Sequence, residues 1–136
     1  MHAEIALRAL LLQASAVTDI VGDRIYPKQL PLGVELPGLV TEHISTVPGQ
    51  VVAPVHGAAP SSERSRIRVH AVAETYHGVQ QLLQAMRTAL HGYRGTAGGV
   101  RVGHVGADLV GPPLHDDGGQ AHTQSLDLIV VVYPDA

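Results

Sequence analysis

The chain has 136 residues, 45% of them apolar, with no Cys, Phe or Trp and a formal charge of −3. This length and apolar content suit a single domain, residues 1–136, and exclude a disordered chain. The absence of Cys excludes a disulfide scaffold and a thiolate metal centre, and the mildly acidic balance offers no bulk attraction for nucleic acid.

Without Phe or Trp, Val, Leu, Ile and Ala must fill the core. No apolar run is long enough to span a membrane, and Glu4 and Arg8 interrupt the apolar N-terminal stretch that a signal peptide would need. Synthesis in a cytoplasm and no membrane partner are therefore expected.

Residues 3–14 read as a helix with Ile5, Leu7, Leu10, Leu11 and Ala14 on its apolar face and Glu4 and Arg8 paired at i,i+4. Ser15 is placed to cap a short second turn running to Val21, which Gly22 stops. Three prolines make residues 23–37 an extended or irregular crossing. Leu39 to Val47 reads as a strand. Residues 48–62 read as a long Pro/Gly-containing loop, with Val51, Val52 and Val55 giving its middle some extended character.

From Arg64 to Ala73 the pattern alternates: Arg64, Arg66, Arg68 and His70 share one face, and Ser65, Ile67, Val69 and Ala71 the other. Thr75 is placed to cap a helix ending at His91, with Val79, Leu82, Leu83, Met86, Ala89 and Leu90 forming its apolar stripe. Gly95 to Gly99 reads as a turn, Val100 to Val110 as a strand, and residues 111–119 as a second flexible loop. In the closing strand, His122 to Tyr133, Leu126, Leu128, Val130 and Val132 face one way and Asp127, Ile129, Val131 and Tyr133 the other. The order predicts an α+β domain with a largely antiparallel or mixed sheet of about four strands and two main helices packed on one face.

Several pieces in this order resemble the tail-completion (tail-terminator) proteins of long-tailed bacteriophages. They are the helix Ala6-Leu7-Arg8-Ala9-Leu10-Leu11, the segment Val21-Gly22-Asp23-Arg24-Ile25-Tyr26-Pro27, and Leu36-Pro37-Gly38-Leu39-Val40 leading into a strand. The strand Arg66 to Ala73, the Thr75-Tyr76 helix start and the Gly98-Gly99-Val100-Arg101 strand opening follow in the same order. Two departures are that the second strand has no aromatic and the last strand no Phe.

The resemblance implies a structural virion protein located at the neck of the tail and assembled in the host cytoplasm. It would be a homo-oligomer, a hexameric ring on the head-proximal end of the tail tube. That ring would end tube polymerisation and present a joining surface to the head-completion protein. The implied partners are therefore the tail tube protein, the neck protein and DNA passing through the lumen, with no cofactor and no catalytic residue. Another head–tail connector component is the neighbouring reading. A small His-based metal-binding or hydrolytic enzyme is the reading from a different class.

Nine His invite the metal reading, and His115-Asp116-Asp117 with His122 offers N and O donors. No pair has HExxH spacing, however, and no G-x-S-x-G elbow or phosphate loop is present. His2, His43, His56, His70, His77, His91 and His104 share no period. No metal ligand, cofactor site or catalytic residue is assigned. The candidate contact residues are Arg64, Arg66 and Arg68, as a basic stripe facing a neighbouring subunit or DNA. Val51, Val52, Val55, Asp116 and Asp117 join them from the two loops.

Overall fold

A computed structural model describes residues 2–49, 56–57, 62–116 and 121–133. Three helices and seven strands follow along the chain. They are α1 (His2–Gln13), α2 (Ser15–Val21), β1 (Ile25–Pro27), β2 (Gly38–Pro48), β3 (Glu63–Ala73), α3 (Tyr76–Leu90), β4 (Gly95–Ala97), β5 (Val100–Val110), β6 (Leu114–Asp116) and β7 (Ala121–Tyr133). One curled sheet takes the strands in the order β1-β2-β3-β7-β5-β4, with β6 pairing to β7 beside β5. Among the described residues, only the β1–β2 pair is parallel.

The four long strands β2, β3, β5 and β7 coincide with those expected from alternation. The count of about four strands is corrected to seven, because three-residue strands carry too little pattern to be seen. β1 lies within the proline-punctuated crossing, and β4 within what reads as a turn. β6 lies inside residues 111–119, so part of that segment is sheet rather than loop. Backbone pairing with an already formed neighbour makes these short strands, not side-chain periodicity.

β7 is central. It pairs with β3 from Ala73↔His122 to Glu63↔Val132, and with β5 from Val110↔Leu126 to Arg101↔Tyr133. This explains why its sequence is apolar on both faces near its end. On one face, Ile67, Val69 and Ala71 of β3 meet Leu126, Leu128, Val130 and Val132 of β7 and Val102 and Val105 of β5, all buried. α1 and α3 lie on that face, and α2 packs against both.

α3 buries Val79, Leu82, Leu83, Met86 and Leu90, the stripe its periodicity predicts. The Thr75 hydroxyl accepts the Gly78 N–H at 2.9 Å as the N-cap, and Gly92 leaves the helix at φ 84°.

α1 departs from its predicted face in one respect. Ala3, Ala6, Leu7, Leu10 and Leu11 are buried, while Ile5 is 46% exposed. Its Arg8 turns away from Glu4 and donates to the Ile25 carbonyl of β1, because leaving a carbonyl unpaired at a buried strand end costs more than a solvated i,i+4 pair returns. The cap of α2 is Ala14, whose side chain supplies no bond, so Ser15 is the first helical residue and not the cap. The β4–β5 turn reaches α1 through Gly98, at φ 57°. A Cβ there would stand 3.1 Å from the Ile5 side chain and 3.2 Å from Ala9, so only glycine satisfies both the turn and the approach.

Candidate assembly surface

The helices cover one face of the sheet and leave the other to side chains of β2, β3, β5, β6 and β7. Strand alternation puts Arg64, Arg66, Arg68 and His70 of β3 there, as the sequence predicts. Across the pairing Arg68↔Asp127, the same alternation brings up a buried carboxylate. The Asp127 side chain is only 2% exposed. Arg68 Nε donates to its Oδ1 at 2.8 Å, Arg68 Nη2 to Oδ2 at 3.3 Å, and Arg66 Nη1 to Oδ2 at 3.1 Å. Arg66 also reaches Asp108 of β5 at 2.7 Å, and His70 lies 3.2 Å from Glu42 of β2. The result is a ladder of alternating charge across four strands.

Burial pushes the Asp127 carboxyl up, but hydrogen bonds from Arg68 and then Arg66 outweigh it and hold its pKa below the usual carboxylate range. Those bonds and the paired charges keep both guanidiniums firmly protonated. Two arginines of the stripe therefore already have acidic partners within their own chain. Arg64 is exposed at the end of β3.

The sequence reading missed Asp127 and Asp108 as members of this surface. One signal was available: Asp127 is the lone charge within Leu126–Val132, and a charge among aliphatics in a central strand is nearly always paired.

Beside the ladder, Leu109 and Leu114 are exposed at 54% and 61%. They border a hollow of about 280 Å³ that Arg68, His70 and Asp127 also line. β6 brings His115 opposite His122, with ring centroids 4.3 Å and planes 17° apart, and Tyr76 meets His122 edge-on at 6.5 Å. Among the described residues, no three His, Asp or Glu gather in a way that could hold a metal ion. Asp116 is the last residue of β6. Val51, Val52, Val55 and Asp117 lie outside the described residues. Among those described, no helix is long and apolar enough to cross a membrane.

Residues 5–128 match the sequence model of the family described as "Tail completion protein gp17". No curated protein matches the chain. Among solved structures, a chain from the virion of a native gene transfer agent particle superposes with a TM-score of 0.65 at 14% identity. That match covers 94% of this chain and 92% of the other. A second solved chain superposes with a TM-score of 0.60 at 13% identity and covers 96% of each. At these identities the two likenesses establish a shared fold.

Proposed function

Because this chain belongs to the tail completion protein gp17 family and is a structural component of a phage-type tail, we propose that its subunits close into a hexameric ring on the head-proximal end of the tail tube. The ring ends tube polymerisation and presents the joining surface for the head-completion protein. The observation that carries this reading is the family match, which runs through nearly every element of the fold, from α1 into β7. The architecture supports it: a single-layer sheet shielded by helices on one side presents an ordered side-chain surface on the other. A ring contact is heterologous, joining two different patches of the same chain, and closes only when the rotation between copies divides a full turn.

The surface chemistry fits packing better than catalysis. Both Asp127 oxygens and the facing nitrogens of Arg66 and Arg68 are engaged with one another, which favours a rigid surface over a reactive one. Arg66 and Arg68 therefore serve as fixed edges of a contact face. Arg64 and the segments holding Val51, Val52, Val55, Asp116 and Asp117 meet the tube or a neighbouring copy.

The test is light scattering across a concentration series, with and without purified tube protein. A discrete species near six times the 14.3 kDa subunit mass is expected, alone or on tube tips, together with tubes of uniform length. Tubes that elongate unchecked in the presence of excess subunit would overturn the reading.

A further inference from the structure

Two surface features lie at opposite ends of the strand order. At the β1 end, a groove of about 530 Å³ opens between α1 and the edge of the sheet. Ile5, Tyr26 and Pro27 give it an apolar lining, and Glu4 and Asp23 supply carboxylates. Arg8 also lines it, but its guanidinium is turned onto the Ile25 carbonyl. Neither carboxylate has an ion-pair partner among the described residues.

At the β4–β5 end, Arg94, Arg101 and Tyr133 surround a hollow of about 200 Å³ with no acidic residue among its described lining residues. Arg101 stacks over the Tyr133 ring, with Cζ 4.9 Å from the centroid. Gly103 makes room for that ring, since a Cβ there would stand 2.7 Å from it. Arg94 and Arg101 likewise have no carboxylate partner among the described residues.

Strand addition does not join these ends. At β1 the Ile25 carbonyl is taken by Arg8, and Pro27 has no N–H to offer. At β4 the Thr96 carbonyl accepts the Tyr93 hydroxyl at 3.2 Å. At β5, Val105 is bonded on both backbone groups to Gly92 and Tyr93, and the Ala107 N–H goes to the His91 ring at 3.0 Å. These bonds leave few backbone groups open for strand addition, so side chains are the main means of contact at these edges.

We propose that the Arg94/Arg101/Tyr133 patch of one copy docks into the Glu4/Asp23 groove of the next, and that this is the head-to-tail contact of the ring. The charges are complementary: Arg94 and Arg101 meet Glu4 and Asp23, all without an ion-pair partner among the described residues, and the two carboxylates outnumber the Arg8 cation beside them. Because patch and groove are different surfaces at opposite ends of the sheet, the contact is heterologous and propagates around a ring. Charge at such a rim sets register and partner choice more than raw affinity.

This contact rests on the ring reading, and its test separates the two. The chain has no Cys, so Asp23→Cys and Arg94→Cys, both at exposed positions, introduce unique thiols. Mixed single variants treated with a short bismaleimide should give a covalent dimer joining the two different variants, and the double variant a ladder of multimers. In parallel, Arg94→Glu with Arg101→Glu should raise the concentration of half-assembly at least about tenfold. Adding Glu4→Arg and Asp23→Arg to that variant should restore assembly. A wild-type ring that yields no cross-link and ignores the reversals overturns this contact and leaves the ring standing. A wild-type monomer at every concentration that also leaves tubes elongating unchecked, again without cross-link, overturns both. If the Arg reversals leave the assembly mass unchanged but abolish retention of duplex DNA, the patch serves nucleic acid and the docking contact is overturned.

Discussion

At the scale of single residues, Asp127 is the most consequential side chain outside the apolar core. Its carboxylate is nearly inaccessible and accepts hydrogen bonds from two arginines, so Asp127→Asn leaves both without their shared anion. A charged hydrogen-bond network of this kind is worth about 1–3 kcal/mol, and chemical denaturation at neutral pH should show a loss of that order. The pH dependence follows from the direction of its shift. The folded pKa lies below the unfolded carboxyl value of about 3.9. The contribution is therefore complete above that value and is lost as pH falls from there through the lower folded pKa. Wild type and Asp127→Asn should converge in stability as the pH drops below about 4, because protonation then does what the substitution did. Gly98 is the second such residue. Gly98→Ala places a Cβ against Ile5 and Ala9 at a positive φ, and should cost about 1–3 kcal/mol in the same assay.

At the scale of elements, α3 is specified locally and β6 is not. The helix has its cap, its stripe and its stop written in consecutive residues, and each of them forms in the structure. Thr75→Ala should lower stability by about 1 kcal/mol through loss of the bond to Gly78 N–H, measurable as a shift of the denaturation midpoint at unchanged slope. β6 exists because β7 offers it an edge, with Leu114↔Thr123, His115↔His122 and Asp116↔Ala121 in register. The stacked His115 and His122 rings lie across that ladder. Removing that stack with His122→Ala should loosen β6 before the rest of the sheet. At one fixed pH, amide exchange at Leu114–Asp116 should accelerate while exchange in β3 stays unchanged.

At the scale of the whole molecule, helices on one face of a curled sheet divide the surface into a shielded side and an ordered exposed side. The exposed side is almost neutral where the sequence suggested a basic stripe, since Glu42, Asp108 and Asp127 balance Arg64, Arg66 and Arg68 across that face. Free positive charge collects instead at Arg94 and Arg101, at the far edge. A ring built from this subunit should therefore fall apart in salt through its rim contacts while each subunit stays folded. Raising ionic strength from 0.05 to 0.5 M, over which the Debye length shrinks to a few ångströms, should lower the assembly mass with no change in circular dichroism.

The sequence alone determined the four long strands, the two long helices and the family, because each rests on a period or a run of residues that can be read without knowing the fold. It also determined that Arg64, Arg66 and Arg68 share a face, since alternation in a strand is local. It did not determine what that face meets. Asp127 stands 61 residues from Arg66, and only pairing of β3 with β7 brings them to 3.1 Å. The three short strands and the groove between α1 and β1 were decided in the same way. They depend on contacts between segments far apart in the chain, and the energy of those contacts is expressed only once the sheet has formed.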